Sequence, residues 1–231
     1  MAKMTSDQKL SFNRQIIVRV LYIIAYFFLV TGLPMIVGDD WGELAVYIGT
    51  GVAAVLGLFL FRDRVIAGLK SLKEKRLKLV LSVIGFIVFQ AVVVAIATKV
   101  VPGFGDSANQ SAAKDAINGS LMVATILTLA VFAPIAEELV FREAMMGWAP
   151  GKVSLTIATL VSGLLFVYLH ASFTLTGFIY YLPGTASLIA IYLLFKRNIA
   201  AINDRPHRVQ LIVGHRRGHC WNGLSRLVVL I

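Results

Sequence analysis

The chain has 231 residues, of which 58% are hydrophobic and only 15% are charged, and its formal net charge is +10. Soluble domains are nearer half apolar and a quarter charged, so this composition excludes an ordinary globular protein. The basic excess does not indicate nucleic-acid binding, because most lysines and arginines lie at the ends of apolar blocks, as the positive-inside rule expects. The single cysteine excludes an intramolecular disulfide.

Several apolar segments reach about 18 residues, the length needed to cross the hydrocarbon core of a bilayer. In chain order these segments are Gln15–Val37, Glu43–Phe61, Leu79–Val101, Leu121–Phe141, Val153–His170 and Phe173–Phe195. Short polar connections join them, which predicts an all-α fold, a polytopic bundle of transmembrane helices in one domain over residues 1–201. Gly49 and Gly57 in the second segment are predicted to be helix-packing positions.

The connections alternate in charge along the chain. Gly38–Gly42 is acidic, Arg62–Lys78 is strongly basic, and Pro102–Gly119 is mixed. Basic segments therefore fall on one side of the membrane, which predicts a cytoplasmic N-terminus and contact of Arg62–Lys78 with anionic lipid. The run Gly103–Asp106 spells the GxGD signature of intramembrane aspartyl proteases, but it falls in the polar connection and no second aspartate stands inside an apolar segment.

The end of the fourth segment carries several charged side chains. Inserting one charged side chain at the centre of a membrane helix costs about 2.5–3.5 kcal/mol on membrane-insertion scales. Such groups are functional candidates. Glu138 and Arg142 are four residues apart with the acid first, the favourable order for an ion pair on one helix face. Glu137 points about 100° away and lacks that partner, which favours a role as general base. Pro134 predicts a local kink or opening just upstream. A purely structural surface cluster is the alternative.

The fifth segment contains Phe166 and His170, also four residues apart, so that the aromatic ring lies one turn from the imidazole on the same face. A lone intramembrane histidine can be purely structural. Together with Glu137 on the preceding helix, however, His170 can hold a water molecule between two basic groups. The same two side chains could instead ligate zinc, and the sequence leaves both alternatives open.

Two motifs on successive apolar segments resemble those of the CPBP (Abi) family of intramembrane proteases. Glu137-Glu138-Leu-Val-Phe-Arg142 matches its EExxxR motif, and Phe166–His170 matches its FxxxH motif. The resemblance extends over roughly 79–201. The family includes the CAAX proteases that process Ras and bacterial Abi proteins linked to bacteriocin maturation or self-immunity.

The resemblance implies hydrolysis of a peptide or protein substrate at a bacterial cell membrane, with lipid as the other partner. Glu137 would activate water, His170 would assist it, and Glu138 with Arg142 would support the pair. Use of zinc and the oligomeric state stay open. Two other functions fit the same side chains: a non-catalytic immunity protein that binds a bacteriocin or its receptor, and a proton-coupled transporter, because Glu–His pairs also serve in proton relays.

Residues 202–231 depart from the family, whose last core helix carries an HxxxN or HxxxD motif. This tail is basic and cannot span a bilayer, and His215, His219 and Cys220 within it suggest a zinc site as one interpretation. A second interpretation comes from reverse translation. When the codon classes of residues 203–223 are read one base later, they permit Met-Thr-x-His-x-x-x-Asn followed by mostly apolar codons. We therefore hypothesise a frameshift after about Ala201, which would leave this chain without part of its active site.

Overall fold

A computed structural model describes residues 6–203 of the chain, and its side chains over 10–70 and 75–195. The chain divides into two compact units, Met1–Tyr192 and Leu193–Ile231, and both motifs lie in the first. In the described part, six helical stretches are long and apolar enough to cross a membrane. These spans are Leu10–Val37, Asp39–Leu60, Arg76–Val100, Met122–Ala144, Lys152–Ala171 and Leu175–Phe195. The predicted all-α polytopic fold is confirmed.

The α-helices are numbered in chain order. They are α1 (Ser6–Phe27), α2 (Leu33–Val37), α3 (Asp39–Leu60), α4 (Arg62–Glu74), α5 (Arg76–Val100), α6 (Ala108–Ile117), α7 (Met122–Leu127), α8 (Ala133–Glu137), α9 (Lys152–Ala171) and α10 (Leu175–Asn203). Each predicted segment corresponds to one span. The first span begins earlier than predicted, at Leu10.

Two connections that the sequence analysis took as polar linkers contain helices. The basic connection forms α4, whose exposed apolar side chains Ile66 and Leu69 are three residues apart on one face. The third connection forms α6, which begins with a capping box: the hydroxyl of Ser107 accepts from the backbone N–H of Gln110, and the Gln110 amide oxygen accepts from the backbone N–H of Ser107. The GxGD run stands before α6 and outside any helix, as predicted.

Spans one and four are not regular α-helices. Wider π-helical turns interrupt them at Phe28–Gly32, Thr128–Phe132 and Glu138–Ala144. The first two of these turns directly precede Pro34 and Pro134, which lie in the first turn of α2 and α8. A proline lacks a backbone N–H and its ring crowds the preceding turn, and a wider turn relieves both problems. The local opening that Pro134 predicts is therefore present in span four.

Span one, α3 and span four pack around a shared core. The buried cluster consists of Tyr22, Tyr26, Ala53, Ala54, Phe61, Ala136, Leu139, Val140, Phe141, Ala144 and Phe166. Two glycines of α3 let the backbones approach closely, because a Cβ atom at Gly49 would overlap the carbonyl of Leu29 and one at Gly57 would overlap the hydroxyl of Tyr22. The predicted packing role of both glycines is confirmed. This core holds span four, and with it the EExxxR motif, in a fixed position.

Candidate active site

His170 lies in the last turn of α9, and the chain reverses immediately after it. Ser172 and Phe173 adopt left-handed backbone conformations with φ of 49° and 55°, which end the helix. The reversal is tight, since a Cβ atom at Gly177 in α10 would overlap the carbonyl of Ala171. The turn therefore holds the start of α10 against the end of α9, next to the imidazole.

Glu137 and His170 meet between span four and α9. The Glu137 Oε1 atom lies 3.4 Å from His170 Nε2, and the two side chains are 25% and 19% exposed. On the other side of the ring, Nδ1 lies 2.8 Å from the carbonyl oxygen of Phe166. Because a carbonyl can only accept, Nδ1 donates its proton there, and in the neutral imidazole Nε2 keeps its lone pair. In that tautomer two acceptors lie 3.4 Å apart, and both can accept hydrogen bonds from one water molecule beside them in the cavity.

Phe166 lies beside both the imidazole and the buried arginine. Its ring stacks on His170 with centroids 4.2 Å apart and an angle of 18° between planes. The guanidinium carbon of Arg142 lies 4.8 Å from the centroid of the same ring. The ring is itself buried and meets Phe141 edge to face. The FxxxH spacing therefore fixes the plane of the imidazole and also provides a cation–π contact for the arginine.

Arg142 is 1% exposed, and its Nε lies 3.4 Å from Glu138 Oε1, an ion pair without hydrogen-bond geometry. Glu138 is much more open, at 47% exposed. Within the described part of the chain, no hydrogen-bond partner contacts the guanidinium nitrogens. The predicted pairing of Glu138 with Arg142, apart from Glu137, is therefore present. Its roles in catalysis stay predictions.

The motif lies at a change of helix type that the sequence analysis did not foresee. α8 ends at Glu137 and the π-helical segment begins at Glu138. Hydroxyl groups from other spans donate to carbonyls of this segment: Ser162 to Phe141 at 2.7 Å and Tyr192 to Arg142 at 2.9 Å. A π-helical turn departs from the ordinary α-helical hydrogen-bond ladder and recurs at functional sites. The side chains of two other spans thus stabilise the unusual turn.

Glu143, the residue after Arg142, belongs to a second buried ion cluster. Its Oε1 lies 3.0 Å from Arg19 Nη2 and 3.2 Å from Arg64 Nη1, and its side chain is 3% exposed. Arg19 also donates to the backbone carbonyl of Glu143, and its guanidinium lies 5.4 Å from the centre of the Phe61 ring. This cluster has no local sequence signal, because its partners come from distant parts of the chain. The cluster links span one and α4 to the end of the motif.

A cavity of about 290 Å³ opens beside Glu137 and His170. It is lined by Phe86, Gln90, Gln110, Glu137, Phe166, His170, Tyr180, Tyr181, Gly184, Thr185 and Leu188. The Tyr181 ring lies 5.2 Å from the imidazole, and its hydroxyl accepts a hydrogen bond of 2.7 Å from Asn109. Among the described residues, the buried Gln90 Oε1 and Thr185 Oγ1 have no hydrogen-bond partner. Polar groups without partners in such a cavity favour a polar ligand.

The residues that the structure describes do not form a complete zinc site. Catalytic zinc is normally held by three protein side chains. No group of three or more His, Cys, Asp or Glu side chains close enough for a metal occurs within 6–203. Glu137 and His170 supply two donors, fewer than such a site needs. The alternative zinc residues His215, His219 and Cys220 lie outside the described residues, as does the whole segment that would carry HxxxN.

Comparison with protein families bears on the segment that holds both motifs. Residues 119–203 match the Rce1-like family, described as type II CAAX prenyl endopeptidase Rce1-like. This match confirms the resemblance to CPBP proteases, to which the CAAX proteases belong. The Rce1-like segment contains span four, α9 and the described part of α10. Because the matched family is a family of proteases, the match supports peptidase activity for this membrane protein. Neither a curated protein nor a solved structure matches the chain.

Proposed function

We propose that this protein is an intramembrane endopeptidase in which Glu137 and His170 activate water. The observation that carries the proposal is the 3.4 Å approach of their side chains inside a cavity of the Rce1-like segment. Intramembrane ionisable groups are costly, and a carboxylate beside an imidazole on two helices is a general-base arrangement. Under the predicted topology the site faces the cytoplasmic leaflet.

In the proposed reaction, a water molecule in the cavity donates hydrogen bonds to both the Glu137 carboxylate and the lone pair of His170 Nε2. The Glu137 carboxylate takes a proton from this water, and the oxygen attacks the peptide carbonyl to form a tetrahedral intermediate. The protonated carboxyl then gives its proton to the leaving nitrogen as the C–N bond breaks. Arg142 supports the site through its contact with the Phe166 ring, and Glu138 pairs with Arg142. A water molecule and a peptide bond are consumed, and a carboxylic acid and an amine are formed.

Tyr181 is the described side chain best suited to stabilise the carbonyl oxygen. Its hydroxyl already accepts from Asn109, so its own proton is available for donation into the cavity. Gln90 Oε1 and Thr185 Oγ1, which lack partners among the described residues, are suited to bind the backbone of an extended peptide. Hydrogen-bond donors that are fixed before the reaction stabilise an oxyanion strongly, since no reorganisation is needed.

The family description names a prenyl endopeptidase, and we take its substrate class as the proposal for this chain. A prenylated peptide of the CAAX type is therefore the first substrate to test. A more specific proposal is that the substrate is a bacteriocin, or that cleavage gives self-immunity. This proposal rests on the resemblance to bacterial Abi proteins.

The decisive experiment is a cleavage assay on protein reconstituted in vesicles, in the form with the hypothesised reading frame restored. Products from a prenylated CAAX peptide are identified by mass spectrometry. Glu137→Gln and His170→Ala should each reduce kcat by at least about 100-fold, since each removes a group that acts on the water. The matched control is Glu43→Gln, which makes the same change in a glutamate of span two that does not line the cavity.

The result separates the three candidate functions. Full cleavage by Glu137→Gln would contradict the proposed mechanism. An absence of cleavage together with immunity retained in both variants would favour a non-catalytic immunity protein. Proton-coupled uptake into the vesicles, lost in the same variants, would favour a transporter.

A further inference from the structure

A second polar cavity lies at the end of the bundle formed by the start of span one and the end of span two. It encloses about 510 Å³ and shares no lining residue with the cavity beside His170. Four arginines line it: Arg14, Arg19, Arg62 and Arg64. Apolar side chains that include Phe59 and Leu60 form part of the same wall. No step of the proposed hydrolysis uses this cavity.

Positive charge in this cavity exceeds negative charge. Arg19 and Arg64 share the carboxylate of Glu143, and Asp63 contributes the other nearby acid. Four arginines therefore face two carboxylates, which leaves two positive charges uncompensated. Within the described residues, Arg14 and Arg62 have no ion-pair partner, and both are exposed. They are the groups available to an anion.

The chemistry of the lining indicates a phosphate that is attached to an apolar chain. Guanidinium groups bind phosphate oxygens through two parallel hydrogen bonds, and several together select a tetrahedral anion. Phe59 and Leu60 end span two next to the arginines, so the cavity combines basic groups with the end of an apolar span. α4 leaves the cavity with Ile66 and Leu69 exposed on one face, 39% and 57% respectively, as in helices that lie on a membrane surface.

We propose that this arginine-lined cavity binds the phosphate of an anionic phospholipid headgroup. Arg14 and Arg62 would contact the phosphate directly, while Arg19 and Arg64 would remain paired with Glu143. Because Glu143 follows Arg142 in the π-helical segment, a bound headgroup would lie one ion pair away from the motif. The proposal concerns binding alone, so its failure would leave the proposed hydrolysis unaffected, and the reverse also holds.

The test uses the full chain reconstituted with phosphatidylcholine, with and without phosphatidylglycerol. Bound lipid is counted by native mass spectrometry, and thermal unfolding is followed in parallel. The double variant Arg14→Gln/Arg62→Gln should lose its preference for phosphatidylglycerol by roughly tenfold or more, because it removes the two guanidinium groups that would hold the phosphate, and a hydrogen bond to a charged group contributes about tenfold in affinity. The matched control is Lys70→Gln/Arg76→Gln, which removes the same charge from the same basic region outside the cavity.

Three results would overturn the proposal. Equal losses in the two double variants would mean general surface attraction without a site. A complete lack of preference for phosphatidylglycerol in the unmodified chain would exclude an anionic-lipid site. Inorganic phosphate or glycerol phosphate could instead saturate the cavity and raise the unfolding temperature as much as phosphatidylglycerol does. That result would assign the cavity to a soluble phosphate. A saturable preference for phosphatidylglycerol that only the Arg14/Arg62 pair removes would support the lipid site.

Discussion

Neighbouring glutamates of the motif occupy different environments although one peptide bond separates them. Glu137 faces the cavity and His170, whereas Glu138 pairs with Arg142 and is about half exposed. Phe166 contacts both the imidazole and the guanidinium, so one aromatic ring orients the two side chains. The change from α-helix to π-helix between the two glutamates contributes to this separation. Their different roles in the proposed reaction follow from geometry, since the two side chains are chemically identical.

Tyr181→Phe provides a residue-scale prediction. We expect kcat to fall by roughly 100-fold with little change in KM, because the variant loses a donor to the oxyanion but keeps the aromatic surface. The matched control is Tyr168→Phe in α9, whose ring is 50% exposed and packs against Phe173 away from the cavity. Unchanged kcat in Tyr181→Phe, or an equal loss in Tyr168→Phe, would contradict the assigned role.

The pairing within the site could be predicted at this scale, but the buried charge beside it could not. Spacings of four residues are local, and they correctly bring Glu138 to Arg142 and Phe166 to His170. The buried charge of Glu143 is instead neutralised by Arg19, which is 124 positions away along the chain. Contacts of that kind are set by packing of whole spans, and a single sequence carries no local signal for them.

Among the elements, α3 lets neighbouring spans approach it closely. Its glycines admit the π-helical turn of span one and the hydroxyl of Tyr22 without a Cβ atom in the way. Small residues allow membrane helices to pack with their backbones near each other, and a helix with larger residues there would be displaced. The position of span four, and therefore of the motif, depends on this contact.

The substitution Gly49→Val tests whether the bundle depends on the close approach of span one to α3. We expect a loss of at least about 2 kcal/mol of stability, because the added side chain overlaps the Leu29 backbone, which cannot move as a side chain can. This loss of stability is measured as a lower unfolding temperature in detergent. Gly85→Val in α5 is the matched control, since nothing lies within 4 Å of a Cβ atom there and the change in intrinsic helix propensity is the same. Similar unfolding temperatures for the two variants would show that the close approach is dispensable.

Element boundaries were predictable where hydropathy changes sharply and less so where polar residues form helices. The Ser107-x-x-Gln110 capping box is a sequence signal that could have identified α6. The π-helical turns have no comparable sequence signal. A proline follows two of them, but a proline is equally consistent with a simple kink in an α-helix. The third turn, Glu138–Ala144, has no such marker.

At the scale of the whole molecule, the family match and the tail raise a question about the gene. The match ends at residue 203, where the basic tail begins. We predict that resequencing will reveal a shifted reading frame near codon 201. Protein made in the restored frame should cleave at least about 100-fold faster than the chain with the basic tail, because it regains groups that hold the substrate carbonyl. An intact frame that yields this same tail would end the hypothesis.

The ion cluster at Glu143 has a consequence for how this protein can be divided. The family match begins at residue 119, but Arg19 and Arg64, which neutralise Glu143, precede it. A fragment cut at the boundary of the match would contain an acid buried beside Arg142 without its two counter-ions, and such an acid is strongly destabilising. The motif-bearing half is therefore not a portable module, and any chimaera or minimal fragment must retain the first two spans and the start of α4.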